Sequence, residues 1–230
     1  MRKLTLTLLL FLPIGMMQAE PTAKRLNSAA NVLGEIMSTP DKGIPMNLMR
    51  HAQCIVVIPG MKQGAFGIGA KYGKGFFSCR KGMDWSAPGA VRIEGGSVGF
   101  QIGAVETDVI LLIMNRRGAD RLLSTQFTVG GEGQAAAGPV GRASSAQTDI
   151  SMRAEMLSWS RARGVFAGIS LQGATLRQDQ DDNADIYGRK LSNKQVINGA
   201  TAWPNEGSEL HSLLNKYAAR AAQRRVRKHK

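Results

Sequence analysis

The hydrophobic positions of this chain change their spacing several times, and each change marks a different kind of element. Leu26, Ala29, Ala30, Leu33, Ile36 and Met37 recur at three- and four-residue intervals between Pro21 and Pro40, which predicts an amphipathic helix. Met46, Leu48 and Met49 predict a second, shorter one. From Cys54 to Ile58 the apolar residues are consecutive and mostly β-branched, a strand pattern that ends at Pro59. Short strands punctuated by glycine follow at 65–72, 76–80, 90–94, 98–104 and 109–114. Val91 and Ile93, then Val98, Phe100 and Ile102, alternate with small or polar residues as half-buried strands do. The connections are too short for helical crossovers, so antiparallel pairing is expected. Residues 116–123 read as a helix, and 127–129, 152–159 and 165–176 return to strand character. Leu210, Leu213, Leu214, Tyr217 and Ala221 mark a final helix face. The expected class is α+β: a mostly antiparallel sheet, open or rolled into a barrel, with N-terminal and C-terminal amphipathic helices.

Composition narrows the organisation. A length of 230 residues suits one domain, and a hydrophobic fraction of 43% excludes a disordered chain. Arg2 and Lys3, the apolar run Leu4 to Ile14, and Ala19 before a cut have the form of a secretory leader, too short for a comfortable membrane span. The expected organisation is a signal peptide over 1–19, a domain over 20–203 and a basic helix and tail over 204–230. Export to the periplasm or medium follows, with membrane association and no transmembrane segment in the mature chain.

Charge brings in the partner class. The chain carries +13, or +11 without Arg2 and Lys3, and so attracts polyanions such as phospholipid headgroups, nucleic acid or an acidic protein. Nucleic acid is disfavoured, because exposed stacking aromatics and a recognition-helix signature are missing and export removes the usual ligand. The candidate headgroup ligands are Lys24 and Arg25 on the first helix, Lys62, Lys71 and Lys74 on the glycine-rich hairpins, and Arg220, Arg224, Arg225, Arg227 and Lys228 at the C-terminus. Against them stands an ordinary solvated basic surface. Leu26, Leu33 and Ile36 have two readings, as a shallow membrane anchor or as part of the core.

Several motifs resemble chemistry the chain does not complete. Gly95-Gly96-Ser97-Val98-Gly99 fits the G-x-S-x-G pattern of a hydrolase elbow, but a strand pattern follows where a helix should. His211 and His229, the only downstream histidines, sit in or near the basic tail, so a turn of glycines is the better reading. Gly67, Gly69, Gly73 and Gly75 miss the dinucleotide order and read as a β-turn and a bulge. Asp179, Asp181, Asn183 and Asp185 have the spacing of the first ligands in a calcium loop. Ala184 replaces the turn glycine and Lys190 the bidentate glutamate, leaving an acidic helix start as the expectation. Trp85 beside Pro88 reads as packed rather than as a surface contact. No cofactor and no metal are expected. Cys54 and Cys79, on the first and third predicted strands, are expected to form a disulfide in an oxidising compartment.

Four blocks carry a family resemblance in order: CIVVIPGMKQGAFGIGAKYGKGFF, WSAPGAVRIEGGSVGFQIGAVETDVILLIMN, AAAGPVGR and MLSWSRARGVFAGISLQGATLRQDQDDNADIYG. Together they resemble the SYLF-domain family, found in lipid-binding and actin-associated eukaryotic proteins and in exported bacterial ones. The resemblance implies an α+β domain without a catalytic centre that binds anionic phospholipids, phosphoinositides in the eukaryotic members. Phosphatidylglycerol, cardiolipin or lipopolysaccharide would replace these in an exported protein. No SH3-like segment lies within the 230 residues. The expected function is therefore non-catalytic binding of acidic envelope surfaces. A protein-interaction or structural envelope module, actin-binding-like, is the alternative, and a serine hydrolase the last reading.

Overall fold

The computed structural model describes residues 20–39, 43–124, 126–129, 135–138, 154–162, 165–166, 171 and 173–217. The expected leader, with Arg2 and Lys3, and the cluster Arg220, Arg224, Arg225, Arg227 and Lys228 lie outside the described residues.

Two helices come first, each opened by a proline whose fixed φ suits a helix start: α1 (Thr22–Ser38) after Pro21 and α2 (Met46–His51) after Pro45. The strands are β1 (Cys54–Lys81), β2 (Asp84–Trp85), β3 (Gly89–Ile113), β4 (Gln126–Thr128), β5 (Ala135–Ala137), β6 (Met156–Ala162), β7 (Val165–Phe166) and β8 (Thr175–Gln178). Between β3 and β4 lies α3 (Arg116–Leu122), whose first turn is capped by the Asn115 side chain accepting from the Gly118 amide. After β8 come α4 (Gln180–Tyr187), α5 (Asn193–Asn198), a single 3-10 turn over Asn205–Gly207 and helix α6 over residues 208–217.

The main departure from the sequence reading concerns the glycines. They were expected to end strands, and instead the segments from 54 to 81 and from 89 to 113 each form one long strand. The two pair antiparallel from Phe77 and Gly89 out to Cys54 and Ile113, with register shifts after Ile58 and Ala65. A paired strand satisfies the backbone on every residue, so the entropy that glycine loses is offset by ladder bonds and no break is forced. The actual turn lies at Gly82 and Met83, where Gly82 has a φ of 63°.

The glycines are needed because the hairpin doubles back on itself. A Cβ on Gly75 would stand 2.1 Å from the Val57 carbonyl oxygen, and one on Gly73 2.8 Å from Ile58 Cγ2. The two halves of β1 thus cross at backbone contact, and the Cys54–Cys79 disulfide ties the beginning of the strand to a point near its end. The disulfide expectation holds, although both cysteines lie on one strand rather than two.

Among the described residues eight strands form one sheet in the order β2-β1-β3-β6-β5, with β7 on β6, β8 on β3 and β4 on β8. Every pairing is antiparallel except β5 with β6. The α+β class is as expected, but the barrel alternative is not: the path ends at β2 and β5 without closing. Stacking of the folded hairpin's halves takes the place of curvature around a barrel axis.

Stacking also explains the unbroken apolar run at the start of β1. Ile55 and Val57 pack under α1, α2 and α6 with Leu26, Leu33, Ile36, Leu48, Leu210 and Leu214. Cys54, Val56 and Ile58 face the opposite way, against Phe77, Val91, Ile93, Val109 and Leu111. Both faces of that segment are buried, so period-two alternation is lost. Leu26, Leu33 and Ile36 are wholly in the core, which decides between their two readings: the apolar face of α1 covers the sheet and is not a membrane anchor. Residues 208–217 bury Leu210, Leu214 and Tyr217 in the same core.

Candidate functional site

The N-terminal half of α1 sits beside the bend of the hairpin, and an open groove of about 1040 Å³ runs between them. Lys24, Arg25, Lys62 and Lys74 all line it, so four residues distant in sequence and singled out for charge converge on one feature. Tyr72 and Pro59 give it an apolar patch, and Glu20, Glu35, Glu106 and Asp108 complete the wall.

The four cations are not equivalent. Arg25 is buried and ion-paired with Asp182, and its other nitrogen donates to the Glu20 carbonyl oxygen at 2.5 Å. Lys74 lies 2.9 Å from both Asp179 and Asp182. Burial works against the Lys74 ammonium, but hydrogen bonds and charge from the two aspartates outweigh it and raise its pKa. Burial likewise disfavours the Asp179 carboxylate, and Lys74 with the Asp182 amide overcomes it, leaving the Asp179 pKa lowered. Thr22 adds hydrogen bonds to Asp182 at 3.3 Å and to Asp185 at 2.9 Å. This is a buried network that fastens α1 and β1 to α4, and it engages Arg25 and Lys74 internally.

Lys71 is 6% exposed, and burial lowers its pKa, so it is not presented on the surface. Lys24 and Lys62 remain exposed and have no ion pair among the described residues. Nearby, Arg161 bridges Glu35 on α1 and Asp108 on β3. The groove is consequently close to charge balance: its paired ions cancel, Glu106 lies across the strands from Lys62, and Glu20 and Lys24 are the remaining charges.

The acidic segment has a different logic from a calcium loop. Asp179 caps α4, its side chain accepting from the Asp182 amide, as expected of an acidic helix start. A calcium loop would use alternate positions 179, 181, 183 and 185; helical spacing instead places 182 and 183 inward. Asp182, the centre of the network, was missed for that reason. Asn183 is buried too, accepting from the Ala90 amide and donating to the Leu191 carbonyl. Among the described residues no group of three or more metal-ligating side chains is present.

Ser97 lies in β3 opposite Gly69, within continuous strand, so the strand-turn-helix of a hydrolase elbow is absent and the expected glycine turn is absent with it. The bulge expected near Gly67 is found after Ala65, without the turn. Trp85 is 2% exposed, with the Arg80 guanidinium over its ring at 4.4 Å, a packed residue as expected.

A second polar cluster escaped the sequence reading because its members are far apart in the chain. Asp84, next to the hairpin turn, accepts from Asn215 at 2.8 Å and contacts His211 Nε2 at 2.7 Å, both on α6. The His211 ring stacks on Trp203. The hydrogen bond to His211 is the main cause that brings the Asp84 pKa down to about 2. This cluster clamps the hairpin turn to the C-terminal helix.

Fold and groove together describe an α+β domain with an open groove lined by charged residues. The sequence model described as "Ysc84: Las17-binding protein actin regulator" matches residues 94–217. The SH3 domain-containing YSC84-like protein 1 of Xenopus laevis is 33% identical over 198 residues, covering 82% of this chain and 58% of its own length. An SH3 domain-containing protein of Schizosaccharomyces pombe is 34% identical over 179 residues, 75% of this chain and 41% of its own. Protein YSC84 of Saccharomyces cerevisiae is 29% identical over 183 residues, 77% of this chain and 39% of its own. The chain belongs to the Ysc84 family, in agreement with the SYLF resemblance, and spans about three-fifths or less of the length of these relatives.

Proposed function

We propose that this domain is a non-catalytic docking module whose ligand is an anionic phospholipid surface, bound chiefly by electrostatic attraction. The observation that carries the reading is where the excess charge lies. Inside the fold, Arg25, Lys74, Arg161, Arg121 and Arg177 are paired with carboxylates. The last thirteen residues, by contrast, hold Arg220, Arg224, Arg225, Arg227, Lys228 and Lys230 and no acid at all. Each cation close to an anionic membrane contributes about 1 kcal/mol, so a cluster of this size suffices for reversible association. Exposed Lys24 and Lys62 add to it. An envelope location, with residues 1–19 acting as an export leader, belongs to the same proposal, and phosphatidylglycerol and cardiolipin are the acidic lipids that would be met there.

The test is co-sedimentation with vesicles of phosphatidylglycerol and phosphatidylcholine against phosphatidylcholine alone, at low and high salt. Anionic vesicles are expected to retain the protein at low salt and release it at high salt. Neutralising Arg220, Arg224, Arg225, Arg227 and Lys228 together should weaken retention. Equal retention by neutral and anionic vesicles would end the lipid reading.

A second reading is favoured by the charge balance of the groove, which suits a protein surface bearing both signs better than a polyanion. The family description names a Las17-binding actin regulator, and a protein partner of that kind is the alternative. Saturable co-sedimentation with filamentous actin, lost on Lys24→Glu with Lys62→Glu, is the result this reading requires.

A further inference from the structure

Of the large apolar residues described, three are exposed: Tyr72 at 47%, Val105 at 50% and Met83 at 81%. Tyr72 and Val105 belong to the bend of the hairpin, whereas Met83 forms the turn at its other end, on the order of 30 Å away along extended strand. We infer that the turn at Gly82 and Met83 is the point at which the domain inserts into an anionic bilayer, Met83 entering the acyl boundary while the neighbouring cations hold the headgroups. The inference rests on the lipid reading above and adds to it the site and orientation of contact.

The turn is held in place although its apex is bare. Lys81 donates to the Gly199 carbonyl at 2.8 Å, Asp84 is clamped by His211 and Asn215, and Trp85 is buried beneath Arg80. Gly82 takes a φ of 63°, the left-handed conformation a tight hairpin turn requires. Met83 itself takes no part in either main core cluster, so the fold gains nothing from an apolar side chain at that position. A rigid apex limits the ordering cost of inserting one side chain, and methionine's unbranched chain adapts to irregular surroundings.

Two exposed lysines stand at this end of the molecule, while the carboxylate of Asp84 beside Met83 is engaged by His211 and Asn215. Exposed Lys81 adjoins the turn, and exposed Lys216 lies one residue beyond Asn215, which itself touches Asp84. In sequence, the basic run that starts at Arg220 begins five residues after Asn215. An apolar apex with exposed Lys81 and Lys216 at the same end combines the two contributions that a stable but reversible membrane contact needs.

Single-cysteine reporters test the inference directly. The native cysteines are joined to each other, so Met83→Cys, Tyr72→Cys and Val105→Cys each offer one thiol for an environment-sensitive fluorophore. On addition of phosphatidylglycerol-containing vesicles, the label at 83 should shift to the blue and brighten, while those at 72 and 105 stay unchanged. In the unlabelled protein, Met83→Asp should lower vesicle partitioning on the order of tenfold with the melting temperature unaltered. Sedimentation with vesicles but no response at 83, or a response at 72 or 105 instead, would overturn the inference while leaving the lipid reading intact. No sedimentation by any protein would remove both.

Discussion

Replacing Gly75 by alanine probes the crossing of the hairpin at its tightest point. The new methyl carbon would lie 2.1 Å from the Val57 carbonyl oxygen, 2.8 Å from Ile58 Cα and 2.9 Å from the Val57 carbonyl carbon. All three are backbone atoms, so no rotamer change relieves the clash; the halves of β1 must separate by roughly 1 Å to restore ordinary contact. Overpacking in a close-packed interior typically costs about 1–3 kcal/mol, and a rigid backbone neighbour places this case at about 3 kcal/mol. For a domain of this size each kcal/mol lowers the melting temperature by about 2–4 °C, so a fall of roughly 6–12 °C is expected by calorimetry or circular dichroism. Gly96→Ala is the matched control, on the partner strand with its nearest neighbour, the Gly69 oxygen, at 3.9 Å. It should change the melting temperature little. A Gly75→Ala protein that melts with the wild type would refute the doubled-back arrangement of β1.

Three further outcomes follow from named contacts. Asp182→Ala leaves Arg25 without its buried partner and Lys74 with one aspartate, and should cost about 3–5 kcal/mol in urea unfolding, the range for breaking a buried pair. Reducing Cys54–Cys79, which closes a segment of 25 residues, should cost about 3 kcal/mol, and alkylation of the unreduced protein should find no free thiol. Asp84 has its pKa depressed to about 2 in the fold, chiefly by His211, so its contribution is present above the ordinary value of 3.8 and is lost as pH falls toward 2. Asp84→Asn should therefore lower the melting temperature slightly at pH 7 and leave it nearly unchanged near pH 2, so that its profile is flatter between those values, read as melting temperature against pH.

What the sequence revealed depended on how far apart the deciding contacts lie. Helix α1 was readable because Leu26, Ala29, Leu33 and Ile36 repeat at helical spacing and Pro21 marks the entry, all within one short window. The start of β1 was readable from its β-branched run. The long strands were not, because Gly67, Gly69, Gly73 and Gly75 look like breaks until their partner strand is known, and the crossing that demands small residues joins 57 to 75. In the groove, charge alone identified Lys24, Arg25, Lys62 and Lys74, and the structure brings them together. Charge could not tell which of them are consumed: Arg25 and Lys74 meet Asp182 more than a hundred residues away. Asp182 does not stand out in the sequence, because the alternate spacing of its acidic neighbours suggests a loop where the segment is helical. The clamp of Asp84, His211 and Asn215 had no local signal of any kind.

The doubled-back hairpin also favours an order of assembly. Across the turn Lys81 meets Asp84 after a very short loop, whereas Cys54 must find Ile113 about sixty residues away. Loop-closure entropy favours zipping from Gly82 outward, so the stretch from 73 to 77 is laid down before 54 to 58 can fold across it. Cys79 is then in place early and Cys54 arrives last. The disulfide spans only 25 residues, so its thiols can also meet before that zipping is complete, and a bond formed early would hold the two ends of β1 together while β3 is laid alongside.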